Sequence, residues 1–242
     1  MRRLPCKLQY AYSSEVIPMK LKAIYCVNII LILIVLIGNY FYQDKGFYYP
    51  LKMLCSASFG LMGILNFIYI LHSKTTNRKL LLFLLLGTLF SWGGDIVLNI
   101  DFVSGAAVFA LGHVFFVIAY FIYQKGNKLD LLLCSLLVLF SICFIQFFPP
   151  IYFEIEVFHY VCLAYAAIIS IMVGKSLGNA LLKPSSFTVS LLISSIAFFI
   201  SDLMLLLAWF STVTGWTSHM CMALYYPAMC FFAVTLLNPR LE

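Results

Sequence analysis

The sequence predicts an all-α protein, a polytopic bundle of eight transmembrane helices, and three observations carry that prediction. Of the 242 residues, 64% are hydrophobic and only 10% charged, whereas an ordinary soluble domain carries about 25% charged residues. The apolar residues gather into runs of about 18 to 22, the length a helix needs to cross a hydrocarbon core of roughly 30 Å. Lysine and arginine, finally, collect in alternate connections between those runs.

The runs lie at 21–42, 50–71, 80–99, 105–123, 129–148, 157–174, 187–210 and 217–237. Residues 1–20 form a basic lead-in, with Arg2, Arg3, Lys7 and Lys20 ahead of the first run and Lys22 at its start. No small-x-small cleavage pattern follows "ILILIVLIGNYF", so the first run reads as a retained helix rather than a signal peptide. The connection after the second run holds Lys74, Arg78 and Lys79, the one after the fourth Lys125 and Lys128, the one after the sixth Lys175 and Lys183, and the tail Arg240. Lys45 and Lys52 alone fall on the opposite side, together with Asp44, Asp101, Glu154 and Glu156. By the positive-inside rule both termini are cytoplasmic, which an even number of spans requires. The predicted location is a bacterial-type inner or plasma membrane, with the whole of 1–242 as one membrane domain. The net charge of +6 is mostly topogenic and gives no reason to invoke nucleic acid. The eight cysteines are scattered, without C-x-x-C spacing, and indicate neither a disulfide frame nor a thiolate metal site.

Two acids fall well inside the runs, Asp95 and Asp202. An ionisable group there costs at least ~2.5 kcal/mol on insertion scales, so it usually faces a cavity or a partner. The two surroundings match: "FSWGGDIVL" and "FFISDLMLL" each place a small residue before the Asp and a Leu three after it, where a neighbouring helix can come close. The following run repeats as well. His113 follows Asp95 by 18 residues and His219 follows Asp202 by 17, and each has a Tyr seven later, Tyr120 and Tyr226. This predicts an internal repeat, helices 3–4 against 7–8, with a site at the repeat interface. His113 and His219 read first as polar packing groups, while His72 and His159 sit at run ends. Tyr225 and Tyr226 precede Pro227, and a proline inside a span frees a carbonyl and marks a kink near a cavity.

The Gly-Asp of "FSWGGDIVL", the Ser-Asp of "FFISDLMLLLAWF", the "YYPAM" of the last run and the eight-run layout together resemble the YhhN family, lysoplasmalogenase-like membrane proteins. The resemblance spans nearly the whole chain. It implies hydrolysis of the vinyl ether bond of lysoplasmalogen to a fatty aldehyde and a glycerophospho-ethanolamine or glycerophosphocholine, with no cofactor and no metal. Asp95 and Asp202 match the family's two membrane acids, and Lys52 in "YPLKML" matches a family lysine. The family's Gly-x3-Phe-x3-His reads Gly112, Phe116 and Tyr120 here, and its Tyr-x-Ala-Gln ends in Met229.

Two acids suit that chemistry independently of the resemblance. Vinyl ether hydrolysis needs a proton delivered to carbon and a water that captures the resulting oxocarbenium ion, and glycosidases divide the same labour between two carboxyl groups. The sequence reading therefore has Asp95 and Asp202 as a coupled catalytic pair in packed third and seventh helices, at a cavity opening towards the outer leaflet. Lys52, Tyr120, Tyr225, Tyr226, His113 and His219 are the candidate substrate-binding groups, and the partner is a single-chain lipid within the bilayer. Three alternatives use the same residues: a proton- or cation-coupled transporter, a metal-dependent lipid hydrolase ligated by Asp95, Asp202, His113 and His219, and an intramembrane aspartyl protease. The last needs Gly where Trp92 stands.

Overall fold

The computed structural model describes residues 6–44, 48–71, 77–213 and 215–237, with side chains at 21–41, 50–71, 77–213 and 215–237. Arg2, Arg3, Lys45, His72, Lys74 and Arg240 lie outside the described residues. The helices are α1 (Cys6–Asp44), α2 (Tyr48–Leu71), α3 (Arg78–Val97), α4 (Phe102–Tyr123), α5 (Lys128–Phe147), α6 (Glu156–Leu182), α7 (Ser186–Phe210) and α8 (Trp216–Thr235). Seven of them, α1 to α7, are long and apolar enough to cross a membrane. The eighth has spanning length but opens on Trp216, Thr217, Ser218 and His219 and carries Pro227. Among the described residues the chain is all-α, and its isolated β pairing is an antiparallel bridge between Ile151 and Ser211.

Polar residues at the run edges start the helices by satisfying the first free N–H groups. Asn77 caps α3 and Asp101 caps α4, the latter accepting from the Ser104 amide at 2.7 Å. Asn127 with Asp130, and Ser185 with Thr188, form reciprocal capping boxes at the starts of α5 and α7.

Helix packing closes a ring. Helices α3, α4, α6, α7 and α8 follow one another around a circuit that returns from α8 to α3. Outside it, α1 and α2 lie against α8, α2 also against α3, and α5 lies on α6. When each helix is exchanged for the one four places away, the packed pairs 1–2, 2–3, 3–4 and 2–8 recur as 5–6, 6–7, 7–8 and 6–4, whereas 1–8 and 3–8 have no counterpart. Aromatic rings fill the interior: Phe116 stacks on Phe232 with centroids 4.2 Å apart, and Tyr225 sits between Phe109 and Phe198 at 5.9 and 5.3 Å.

Three sequence expectations are corrected. Helices α3 and α7 do not pack against each other; α8 stands between them on one side of the circuit, α4 and α6 on the other. Helix α1 begins at Cys6, and its membrane-length apolar stretch, Leu21–Phe41, lies where the first run was read. Helix α6 continues to Leu182, past the expected end at 174. Lys175 is therefore no loop cation but a fully buried helical residue, paired with Asp130 at 2.6 Å. That makes Asp130, 3% exposed, a second buried acid beside Asp95.

Candidate active site

The two matching acids keep different company. Asp95 is 3% exposed and forms an ion pair with Lys52 of α2 at 2.9 Å. Ser56, one turn on from Lys52, donates to the other carboxylate oxygen and, alternatively, to the Lys52 carbonyl. Lys52 also donates to Asn99 Oδ1 at 2.9 Å, and Asn99 returns to the Asp95 carbonyl at 2.5 Å. Gly94 explains the small residue ahead of the acid. A Cβ there would come within 2.6 Å of the Phe109 ring, so glycine lets α4 close over this stretch of α3.

Asp202 has no lysine. Its Oδ2 accepts from the Tyr165 hydroxyl of α6 at 2.5 Å, and His113 Nε2 of α4 lies 3.5 Å from the same oxygen and 2.7 Å from the Tyr165 oxygen. His113 is fully buried, its ring edge against Phe198 at 4.7 Å, whereas the Asp202 side chain is 12% exposed. That exposure looks into a narrow apolar cleft between α4, α5, α6 and α7, with a cavity volume of about 80 Å³, smaller than the usual range of about 300–1,000 Å³ for small-molecule sites. Asp202 is the one charged group on its walls, and Tyr165 and Ser141 are the only hydroxyls there; the rest is hydrocarbon, aromatic ring and the Cys162 thiol. Ile145 is shared with an adjoining recess lined by Gln146, Glu154, Glu156 and His159, a recess without Lys or Arg.

The other expected groups disperse. Tyr225 is buried among Phe109 and Phe198 and donates to the Ser91 carbonyl of α3 at 3.2 Å. Tyr120 is fully buried two turns along α4 from His113, its hydroxyl 2.8 Å from Ser195 Oγ. Tyr226 and Met229 are fully buried core residues. His219 is exposed in the first turn of α8, Nδ1 3.0 Å from the Gly215 carbonyl, so the environments of His113 and His219 do not correspond. Lys52 is engaged by Asp95 and Asn99 and does not line the cleft. Among the described residues no three His, Cys, Asp or Glu side chains are arranged to hold a metal ion, and Asp95 and His219 stand apart from the two groups, Asp202 and His113, that do meet.

Tyr165 is the residue that sequence reading missed. One of 15 tyrosines, it sits in "CLAYAA" with nothing in its spacing to set it apart; only the approach of α6 to α4 and α7 brings it to the acid. The YhhN family model matches residues 49–236, from the start of α2 to the end of α8. No curated protein and no solved structure matches the chain.

Proposed function

Because the chain belongs to the YhhN family, we propose that it is a membrane-embedded, lysoplasmalogenase-like hydrolase acting on the vinyl ether bond of a single-chain lipid. One observation carries the reading: a lone carboxyl, Asp202, borders a narrow apolar cleft whose hydrocarbon and aromatic walls suit a lipid chain. An ionisable group that faces such a cavity in a membrane bundle marks function by default.

In this reading Asp202 protonates the alkene carbon that does not bear the ether oxygen. The C=C electrons form the new C–H bond and leave an oxocarbenium ion. Water adds to that ion and returns a proton to the carboxylate, and the hemiacetal collapses to aldehyde and alcohol. Asp95 acts at one remove. It is held by Lys52 and does not line the cleft. The headgroup end reaches the recess at Gln146, Glu154, Glu156 and His159, whose carboxylates suit the ammonium of ethanolamine or choline. The cleft mouth faces the outer leaflet, all eight helices span, and both termini are cytoplasmic.

The recurring helix pairs support an internal duplication wider than helices 3–4 and 7–8, namely α1–α4 against α5–α8. Two hydrogen bonds follow the same relation. Asn66 of α2 donates to the Ala233 carbonyl of α8 at 2.9 Å, and Asn179 of α6 donates to the Tyr120 carbonyl of α4 at 3.1 Å. A repeat of four helices keeps its orientation, and the site then lies where the halves meet.

Aldehyde release from lysoplasmalogen by purified protein tests the function. We expect turnover by the wild type and a loss of about 10²- to 10⁴-fold in Asp202→Asn, the usual scale for removing a general acid, with the fold retained. A folded wild type that releases no aldehyde rejects the reading.

A further inference from the structure

We propose that Ser141 of α5 holds the water that captures the oxocarbenium ion; this rests on the hydrolase reading and names the group that its second step uses. The step needs a water fixed beside carbon in a cleft whose walls are mostly hydrocarbon. Three oxygen-bearing side chains reach those walls, Asp202, Tyr165 and Ser141. The single hydroxyl proton of Tyr165 goes to Asp202, which leaves Ser141 as the hydroxyl donor still open. The Cys162 thiol beside them is only a weak donor.

The way Ser141 is held leaves that donor facing the cleft. Every other buried serine and threonine among the described residues has a backbone carbonyl as acceptor for its hydroxyl. Ser141 and Ser170 of α6 bond to each other instead, at 2.8 Å. The pair has two hydroxyl protons and one mutual bond, so one proton is left over. On Ser170, which has no solvent exposure, it would be buried without an acceptor, at the full cost of desolvating that donor. On Ser141, which lines the cleft, it meets whatever the cleft holds. The favoured arrangement therefore has Ser170 donating to Ser141 and Ser141 donating into the cleft.

Water has a route to this hydroxyl. Ser141 lies one turn from Ile145 on the same face of α5, and Ile145 lines both the cleft and the recess of Gln146, Glu154, Glu156 and His159. The acid is near in depth. Tyr165, which holds Asp202, and Ser170, which holds Ser141, are five residues apart on α6, about 7.5 Å of helix rise, room for one water beside the reacting carbon. In the step Ser141 donates to the water oxygen, and a lone pair of that oxygen forms the C–O bond. The added oxygen then gives a proton to the Asp202 carboxylate, which recovers the one it gave to carbon, while Ser141 keeps its own.

The test turns over lysoplasmalogen with the purified full chain in detergent micelles in the presence of methanol, and quantifies free aldehyde and mixed methyl acetal by mass spectrometry. Water adding to the cation gives aldehyde and methanol gives acetal, so their ratio reads the capture step whichever step limits the rate. Ser170→Ala is the control for packing, because it breaks the same bond between α5 and α6 but keeps the Ser141 hydroxyl in the cleft. We expect wild type and Ser170→Ala to give the same ratio, and Ser141→Ala to raise the acetal share about tenfold, the scale of one neutral hydrogen bond. Ser141→Thr, which keeps the hydroxyl, restores the wild-type ratio. Ser141→Cys, close to serine in volume but a weak donor, follows Ser141→Ala and replaces it should the alanine variant misfold. A wild-type ratio in Ser141→Ala, or an equal shift in Ser170→Ala, overturns the water site and leaves the hydrolase reading intact. A folded wild type that forms neither product rejects both.

Discussion

Asp95 and Asp202 are the same residue in matching local sequence, and their neighbours give them different work. Lys52 sits 2.9 Å from Asp95 in a site with almost no exposure. Removing one partner of such a pair leaves an uncompensated buried charge, which costs about 3–5 kcal/mol, whereas replacing both by apolar groups is often neutral. Lys52→Met and Asp95→Asn should each lower thermal stability in detergent by that order, and Lys52→Met with Asp95→Leu should recover most of it. Asp202→Asn should leave the melting temperature nearly unchanged while activity falls, because Tyr165 can still donate to the amide oxygen. Were Asp95→Asn to melt normally and yet abolish turnover, the chemistry would belong at Asp95. Both acids were legible in the sequence, since a carboxylate in lipid stands out against hydrocarbon. Their partners were legible in part: Lys52 and His113 stand among the candidate groups of the sequence, whereas Tyr165 is chemically unremarkable among its kind, and its place beside Asp202 exists only once three helices meet.

At the scale of the element, α5 is fastened to α6 by the buried Lys175–Asp130 pair, a Ser141–Ser170 hydrogen bond at 2.8 Å and close approaches at Gly174 and Gly178. Lys175 holds Asp130 at 2.6 Å and lies over the Phe121 ring at 4.9 Å, and Asp130 also closes the Asn127 capping box. Gly178 makes the approach possible, for a Cβ at that position would stand 1.9 Å from Asp130 Oδ1. Gly178→Ala should push α5 from α6 and cost about 1–3 kcal/mol as overpacking, more if the ion pair opens. Lys175→Met should cost more than Lys175→Met with Asp130→Leu, which removes both charges. Differential scanning of the purified variants checks this order, and equal stability of the two Lys175 variants would show that the pair does not hold the helices. The sequence misplaced this element for a physical reason. A lysine that interrupts an apolar run resembles a membrane-edge cation, and only the matching Asp130, itself at the start of a run, shows that the helix goes on to Leu182.

For the whole molecule, the apolar runs were readable because lipid selects them, residue by residue, through hydropathy, and seven of the eight helices are long and apolar enough to cross a membrane. The packing circuit was not, because helix association in a bilayer has no hydrophobic drive and leaves little periodic signal along each helix. The expected contact of α3 with α7 failed on that account, and the ring places aromatic side chains of α4, α7 and α8 between the acids. What the ring preserves is the relation between halves. If α1–α4 and α5–α8 are duplicates, Asn66 and Asn179 are equivalent ties, each from the second helix of one half to the last helix of the other. Interhelical hydrogen bonds in membrane proteins average about 0.6 kcal/mol and reach about 1.7. Asn66→Leu and Asn179→Leu should each cost an amount in that range. Because the two bonds share no partner, the double variant should lose the sum within about 0.5 kcal/mol. Asn66 also accepts from Asn28 of α1 at 3.0 Å, so its replacement should be the costlier of the two. If Asn179→Leu proved neutral while Asn66→Leu was severe, the bonds would not be equivalent, and the duplication would rest on helix order alone.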